Sequence, residues 1–209
     1  KKQDDCSLIE RVKLVFYFDY VDPGSYLVDQ LIDELLEDKN DLVFHPLEIC
    51  PPTNTPIDST NQEWVDYNKK VQRLGKQAHL DCTYPISPTW SRKAHELRLY
   101  AKKKGVERLV HKEIFRSYFQ KHLDIGRIDI LVNIASDSGL NPSECRATLD
   151  VDRYSEEIQT LGLEAQDNGI KNSPQLKTEA GSLEGPTDIR ELRKFLKRSG
   201  VTLSSDGSN

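Results

Sequence analysis

The segment from Val12 to Glu37 is the feature that most constrains the fold of this chain. Its first part is an almost continuous apolar run, Leu14 to Phe18, which is typical of a central strand covered on both faces. Its last part repeats apolar residues at helical spacing from Leu27 to Leu36 and forms one apolar stripe. The sequence therefore predicts a buried strand that leads through a tight turn into an amphipathic helix.

The turn between this strand and this helix reads Asp22-Pro23-Gly24-Ser25. Asp22 is a favourable N-cap, and Pro23 suits the first helical position because an N–H there has no intrahelical partner. Such a turn directs the positive end of the helix dipole at whatever lies above the sheet edge. The turn is therefore the first candidate for a functional site.

Composition and charge exclude several classes of protein. Charged residues make up 30% of the 209 residues, and no apolar run approaches the ~20 residues of a membrane span. We therefore expect no membrane partner. The formal net charge of −5 argues against nucleic acid as a main partner.

The four cysteines lie far apart in the sequence and form no CxxC motif. They are Cys6, Cys50, Cys82 and Cys145. This spacing does not indicate a disulfide scaffold, and the N-terminal residues have no signal-peptide pattern. We therefore expect free thiols and a cytoplasmic protein. His79 and Cys82 form a single pair of metal-ligand residue types without a second pair, so no metal site is predicted.

The order of the predicted elements indicates an α/β thioredoxin fold with a large all-helical insertion. A strand, a helix and a second strand over 41–49 form a parallel βαβ unit. A Pro/Thr/Asn-rich loop follows, and nearly every segment from 62 to 168 has helical periodicity. The last helix of this segment is predicted roughly from Asp152 to Asn168. Two short strands and a helix complete the chain. We assign 1–61 and 169–209 to a thioredoxin-like domain and 62–168 to a helical insertion domain.

The sequence DYVDPGSYL (19–27) resembles the active-site turn of DsbA-like thioredoxin-fold proteins. It is most similar to the branch that contains 2-hydroxychromene-2-carboxylate isomerase and kappa-class glutathione transferase. The pair Ala94-His95 and the motif Ala165-x3-Gly169-Ile170-x2-Ser173-Pro174 resemble further family segments. The resemblance extends from Val12 to about Leu196.

This resemblance implies a binding site for an extended thiol peptide such as glutathione. Pro174 would be a cis-proline that faces the turn, packed near Pro23, and the backbone of Ser173 would pair with the peptide. The pair Thr187-Asp188 is similar to the Ser-Asp of kappa transferases, which receives the γ-glutamyl group. Alternatively, Thr187 and Asp188 only cap the last helix.

The turn departs from the family pattern at the position of the nucleophile. Redox members carry Cys-Pro-x-Cys there and glutathione-using members carry Ser-Pro-Tyr-x, whereas this chain has Asp22 and Ser25. Thiol–disulfide exchange needs a thiolate, which neither residue supplies. An ionised Asp22 would also repel the thiolate of glutathione. Ser25 could act in its place, although Asp22 can be a simple N-cap and Ser25 an ordinary first-turn residue.

Two further candidates come from the predicted insertion. His95 could shuttle a proton in the groove between the insertion and the thioredoxin core, or it could be a structural hydrogen-bonding residue. Trp90 and Trp64 could form the wall of a pocket for an aromatic substrate, or they could belong to the core.

These observations leave three hypotheses for function. The first is a glutathione-type isomerase or transferase that acts without CxxC chemistry on a small substrate, for which an aromatic molecule is one candidate, with Asp22, Ser25 and His95 in catalysis. The second is a thioredoxin-fold binding protein that has lost its nucleophile. The third is a disulfide oxidoreductase by family membership alone. The expected partner is a small molecule or a thiol peptide, and a homodimer is left open.

Overall fold

In the computed structural model of this chain, the described residues are 12–39, 41–82 and 89–204. Residues 1–11, 40, 83–88 and 205–209, and with them Cys6, lie outside these ranges. The described residues form four strands and eight helices. In chain order these are β1 Leu14–Phe18, α1 Pro23–Leu35, β2 Leu42–Pro46, α2 Gln62–Gln77, α3 Arg92–Lys103, α4 Glu107–Phe119, α5 Ile128–Asp137, α6 Pro142–Asp150, α7 Ser155–Asp167, β3 Gln175–Thr178, β4 Gly181–Glu184 and α8 Ile189–Arg198.

The four strands form one sheet in the order β2-β1-β3-β4. Strand β1 pairs with β2 in parallel and with β3 in antiparallel orientation, and β3 pairs with β4 in antiparallel orientation. Strand β2 ends at Pro46, earlier than the predicted 41–49. The N–H of Leu47 still donates to the carbonyl of Phe18 on β1, at 2.9 Å. The chain then leaves the sheet, because Ile49 donates its N–H to the Asp19 carboxylate, at 2.7 Å.

The core lies around Phe18, near the end of β1. Its ring centroid lies 5.3 Å from that of Phe16, 5.8 Å from that of Phe44 on β2 and 5.8 Å from that of Phe115 on α4. All four side chains are buried. The predicted central strand is confirmed, because β1 lies between β2 and β3 and most of its side chains are buried. Burial of such rings is the dominant favourable contribution to folding.

Helices α2 to α7 lie between β2 and β3 in the sequence, as the predicted insertion requires. Helix α3 buries Ala94, Leu97 and Ala101, the face that its periodicity predicts. Helix α7 begins at Ser155 and not near residue 152 as expected. The reason is that Asp152 has φ +52°, a left-handed conformation that a helix cannot continue through.

The chain returns to the sheet after α7 and ends in helix α8. Gly169 follows α7 with φ +80°, as expected of a residue that ends a helix. Asp188 is the N-cap of α8 and accepts hydrogen bonds from the N–H groups of Arg190 and Glu191. The architecture is an α/β thioredoxin fold with a helical insertion. Within the described residues, none of the helices has the length and apolar character that crossing a bilayer requires.

Candidate functional site

The N-terminus of α1 places Asp22 just beyond the carboxyl end of β1, the second strand of the sheet. Asp22 is the N-cap, with extended backbone angles, and Pro23 occupies the first helical turn. The Asp22 carboxylate accepts hydrogen bonds from the N–H groups of Gly24 at 3.0 Å and Ser25 at 3.1 Å. These two groups have no partner within the helix, so the side chain satisfies them locally.

Three hydroxyl groups donate to the same carboxylate. The Ser25 hydroxyl lies 2.6 Å from Asp22 Oδ2, the Tyr67 hydroxyl 2.7 Å from Oδ1 and the Ser173 hydroxyl 3.1 Å from Oδ2. With the two N–H groups, the carboxylate has five donors, whereas its lone pairs offer about four acceptor positions. The side chain that starts as a helix cap is therefore the centre of a polar cluster made by three distant segments.

The protonation of Asp22 depends on opposing effects. Burial raises the pKa of Asp22, because Asp22 is only 1% exposed and its charged form loses hydration. Hydrogen bonds from Ser25, Tyr67 and Gly24 act in the opposite direction, and the net result is a raised pKa. Burial and the neighbouring Asp22 carboxylate also raise the pKa of Tyr67, which keeps the phenol protonated and able to donate.

Gly24 allows Tyr67 to approach the helix end. A Cβ atom at position 24 would lie 2.2 Å from the Tyr67 hydroxyl and 3.0 Å from Pro174 Cδ. Both distances are well inside van der Waals contact, so any larger residue at position 24 would displace Tyr67 from Asp22. The glycine of the turn and the tyrosine of α2 are thus matched to each other.

The bond between Ser173 and Pro174 is cis. Pro174 is buried and lies against Gly24 of the turn, one residue after Pro23. The predicted cis-proline that faces the turn is therefore confirmed. Its position brings the Ser173 hydroxyl to Asp22.

A pocket of about 410 Å³ opens above this cluster. The lining residues come from the turn, from the loop after β2, from the first two turns of α2 and from the segment before the cis-proline. They are Asp22, Ile49, Ile57, Asn61, Glu63, Trp64, Tyr67, Asn172 and Ser173. We call this space the Asp22 pocket.

One wall of the Asp22 pocket is aromatic. The rings of Trp64 and Tyr67 stack, with centroids 5.7 Å apart and an interplanar angle of 27°. Both are half-buried, whereas Val71 further along the same face of α2 is fully buried. The apolar face of α2 therefore belongs to the core at its centre and to the pocket at its start.

His95 lies beneath the turn and is not among the residues that line the Asp22 pocket. It is fully buried, and its Nε2 lies 3.1 Å from Asp19 Oδ1. The backbone N–H of Asp19 donates to the Ser25 hydroxyl at 3.2 Å. His95 therefore contacts the polar cluster of the turn only through Asp19.

The remaining predicted residues lie in different places. Trp90 is 42% exposed, and its indole N–H donates to the carbonyl of Asn54 at 3.1 Å. Thr187 is buried and lies with Pro174 around a small crevice. Asp188 caps α8, as described above. Of the predicted site residues, the structure brings Asp22, Pro23, Ser25, Ser173 and Pro174 together, and Thr187 lies next to the proline.

Tyr67 and Glu63 are pocket residues that the sequence did not identify. The periodicity of α2 assigns Tyr67 to an apolar face, and nothing local distinguishes a core tyrosine from a pocket tyrosine. A usable signal was the aromatic pair Trp64 and Tyr67 directly after a loop without periodicity, because tyrosine and tryptophan often combine an apolar body with a polar tip at interfaces.

The described cysteines do not offer a ready thiolate. Cys50, Cys82 and Cys145 are free and buried. Burial raises the pKa of Cys82 to about 12 and that of Cys145 to about 11, and it also raises the pKa of Cys50, whose thiol donates to the carbonyl of Thr55. Within the part of the chain that is described, no group of three or more His, Cys, Asp or Glu could hold a metal ion.

A βαβ–ββα sheet with a cis-proline opposite a helix N-terminus defines a thioredoxin-fold protein. Sequence comparison identifies the family: the DSBA-like thioredoxin domain matches residues 13–196, and the chain belongs to this family. Protein YwbO of Bacillus subtilis, which is described as uncharacterized, is 24% identical over 157 residues, covering 73% of this chain and 78% of YwbO.

Solved structures share the fold at low identity. A probable DsbA oxidoreductase from Streptomyces coelicolor superposes with a TM-score of 0.72 at 16% identity, over 93% of this chain and 92% of that one. 2-Hydroxychromene-2-carboxylate isomerase superposes with a TM-score of 0.68 at 17% identity, over 88% of this chain and 94% of that one. The cytosolic disulfide reductase DsbM from Pseudomonas aeruginosa with GSH superposes with a TM-score of 0.62 at 13% identity, over 90% of this chain and 96% of that one. At these identities the likeness extends to the fold alone.

Proposed function

We propose that this chain binds a small, partly aromatic molecule in the Asp22 pocket and acts on it as an isomerase or transferase, without thiol–disulfide exchange. One observation carries this proposal: a buried carboxyl group with a raised pKa lines a pocket whose wall is a pair of aromatic rings. A mostly apolar pocket with a few convergent polar groups and a perturbed titratable group is typical of an active site.

The absence of thiols at the turn argues against redox chemistry there. Asp22 and Ser25 occupy the two positions where the resemblance to redox members implies cysteines. Disulfide exchange proceeds through attack by a thiolate, and carboxylates and hydroxyls cannot substitute for it. We therefore expect no activity in an insulin-reduction assay, and Asp22→Cys with Ser25→Cys to introduce a reactive thiol at a helix N-terminus. Exchange by the unmodified protein at rates typical of redox enzymes would contradict the proposal.

Two hydroxyls connect the pocket to the carboxyl group. Tyr67 and Ser173 each donate to Asp22 and each line the pocket, whereas the Ser25 hydroxyl is fully buried. A ligand can donate to the oxygen of either hydroxyl while that hydroxyl still donates to Asp22. A proton can then pass from the ligand to the hydroxyl oxygen as the hydroxyl's own proton moves to the carboxylate, and the reverse transfer returns a proton to the ligand. A raised pKa brings a carboxyl group closer to the operating pH that general acid–base catalysis favours.

Glutathione is the candidate co-substrate, and the charge of Asp22 limits how it binds. Ser173 beside Pro174 would align its backbone, and Thr187-Asp188 would hold its far end, as the family resemblance implies. A thiolate ~4 Å from an ionised Asp22 would be repelled by about 4 kcal/mol at an effective dielectric near 20. Hydrogen bonds of ~0.5–1.5 kcal/mol each do not offset this. We propose that glutathione binds as the neutral thiol.

Calorimetry tests the role of glutathione. Asp22→Ser is expected to tighten glutathione binding and to lower the apparent pKa of the bound thiol, because the repelling charge is gone. The titration is repeated across the ionisation range of the thiol for both proteins. Equal affinities at every pH would mean that Asp22 does not face the sulfur.

The test of the main proposal combines binding and turnover. A panel of small aromatic compounds, with and without glutathione, is screened by thermal stabilisation of the full chain. Compounds that stabilise the protein are then incubated with it and analysed for chemical change. Asp22→Asn and Tyr67→Phe are expected to retain binding and to lose turnover. Turnover at the original rate in both variants would contradict the assigned chemistry.

A second candidate function is binding without chemistry. The observation that favours it is the saturation of Asp22 by five donors, which is the environment of a structural cap. Under this alternative, a ligand of the Asp22 pocket is recovered unchanged after incubation. Under the first proposal it is converted.

A further inference from the structure

The charge of the Asp22 pocket differs from what a thiol peptide would require. Two of its nine lining residues, Asp22 and Glu63, are acids, and none of the described residues that line it is Lys, Arg or His. Glutathione carries more negative than positive groups at neutral pH, so its carboxylates would find no cation on this wall. The pocket therefore has the same sign of charge as the thiol peptide that the family resemblance implies, and the two repel each other.

The two helix N-termini at the pocket do not reverse this sign. Helix α1 begins at Asp22, which already accepts from the N–H groups of Gly24 and Ser25. Helix α2 begins after Asn61, whose side chain accepts from the N–H of Trp64 at 3.2 Å. An anion at a helix N-terminus is held by unpaired N–H groups, and here these side chains already engage several of them.

The aromatic wall supplies a second attraction for positive charge. Trp64 and Tyr67 stack beside the carboxylate of Asp22, and the Tyr67 hydroxyl donates to it. A cation within about 6 Å of an indole or phenol ring is attracted by the negative face of the ring. Ile49 and Ile57 on the lining surface suit an apolar body attached to that cation.

We propose that the Asp22 pocket selects a small organic cation, an ammonium group carried on an apolar or aromatic body. The ammonium lies beside the Glu63 carboxylate and the ring of Trp64, and it donates to the hydroxyl oxygens of Tyr67 and Ser173, which themselves donate to the buried Asp22 carboxylate. The amide groups of Asn61 and Asn172 accept hydrogen bonds from it. This inference rests on the proposed function, because it names the substrate class of the same pocket.

The size of the preference for a cation depends on how exposed Glu63 and Trp64 are. Glu63 is exposed, and an exposed ion pair contributes up to about a fivefold change in affinity. The ring of Trp64 adds about two- to fivefold for a partly exposed cation. Together they are expected to favour a cation over an anion of the same shape by between about two- and about 25-fold.

Three isosteric probes of different charge test the selection: phenethylamine as its ammonium form, 2-phenylethanol and phenylacetate. Each is titrated by calorimetry into the full chain at neutral pH and low salt. The expected order of affinity is ammonium, then alcohol, then carboxylate. Binding of the carboxylate as tight as that of the ammonium would overturn the inference and leave the proposed pocket intact. Binding of none of the three would count against the pocket and the inference together.

Variants on the surface of α2 provide the matched comparison. Glu63→Gln is expected to weaken the ammonium probe about fivefold and to leave the alcohol unchanged. Asp66→Asn removes another exposed acid of the same helix that does not line the pocket, and it is expected to change none of the three affinities. Trp64→Leu is expected to weaken both the ammonium and the alcohol. An equal loss for Glu63→Gln and Asp66→Asn would mean that only the overall charge of the surface matters, and the proposed site would be wrong.

Discussion

Two buried carboxylates, Asp22 and Asp29, lie on the same helix and have different surroundings. Asp22 accepts from the hydroxyls of Tyr67 and Ser173, which are both half-buried and line a pocket. Asp29 lies 3.0 Å from Nε2 of His111, whose Nδ1 lies 2.9 Å from the Tyr20 hydroxyl, and all three are buried. One neutral tautomer of His111 satisfies both neighbours, with the ring donating to Asp29 and accepting from Tyr20.

The comparison shows that burial of a carboxylate does not by itself identify a functional site. His111 lies among the rings of Phe18, Phe44 and Phe115, with centroids 5.0, 4.0 and 5.0 Å away. No ligand can replace a partner in such a closed cluster without unfolding it. The Asp22 cluster has partners that face solvent, and ligand binding can exchange them. Accessibility of the partners separates the two regions.

The largest expected loss of stability follows a substitution in the closed cluster of Asp29, His111 and Tyr20. His111→Ala removes a ring packed against three aromatic neighbours, takes away the acceptor of the Tyr20 hydroxyl and leaves Asp29 with the Gln30 amide. A loss of roughly 3–5 kcal/mol in the free energy of unfolding is therefore expected. Urea denaturation measures this, with His111→Gln as the variant that retains a polar group. Ligand affinity at the Asp22 pocket should stay unchanged in the folded fraction. A His111→Ala protein of wild-type stability with an altered pocket would reverse the assignment of the two clusters.

Removal of the Asp22 carboxyl group is expected to have a smaller effect on the free energy of unfolding. Asp22→Ala loses a helix cap and the acceptor of three hydroxyls, for about 2 kcal/mol of unfolding free energy, and Asp22→Asn loses about half as much. Burial of the charge opposes this loss. If Asp22→Ala were more stable than the wild type in urea, the desolvation of the charge would outweigh the hydrogen bonds, and the carboxylate would be retained for function alone.

The contact between Gly24 and Tyr67 can be measured as a coupling. Gly24→Ala is expected to cost about 1–2 kcal/mol, because the new methyl group displaces the Tyr67 hydroxyl from Asp22. In a Tyr67→Phe background the same substitution should cost less, since the displaced hydroxyl is absent and alanine favours the helix, while the close contact with Pro174 Cδ remains. Urea unfolding of the four proteins of this cycle gives the coupling. Additive effects would show that the two residues are independent.

The smallest expected effect is a dependence of stability on pH. Burial lowers the pKa of folded His111, against the opposing effect of Asp29, while the unfolded chain has the ordinary value near 6.5. The contribution of His111 to the free energy of unfolding is therefore complete above about pH 6.5 and is lost as the pH falls, because the unfolded state takes up the proton first. Through this one group, the free energy of unfolding changes by at most about 1.4 kcal/mol per pH unit. Urea midpoints at about pH 7.5 and 5.5 should converge in His111→Gln, apart from a contribution of His45, whose pKa burial also lowers.

The fold could be predicted from the sequence because its signals are local. The apolar run of β1, the stripe of α1 and the caps at Asp22 and Asp188 depend on residues within one or two turns of each other, and the structure confirms them. The end of β2 and the start of α7 were placed wrongly. At these two points a distant carboxylate and a left-handed residue decide where the element stops or begins.

The candidate site was only partly predictable for the same reason. Asp22, Ser25 and Pro174 follow from the turn and from the family resemblance. Tyr67, 45 residues from Asp22, gives no local sign that it reaches the turn, and Ser173 donates to Asp22 across 151 residues. His95 was placed by the sequence in a groove, whereas in the structure it is paired with Asp19 beneath the turn.

The sequence by itself determined a helix N-terminus with a carboxyl cap, a proline to face it, and the absence of a thiol at both positions of the turn. Short-range sterics and hydrogen bonding govern these features, so they can be read from adjacent residues. Only the tertiary structure decided which groups surround that carboxyl group and that an aromatic wall and a second acid complete a pocket there. Those contacts are made by long-range packing of α2 and the cis-proline segment, which no local pattern encodes.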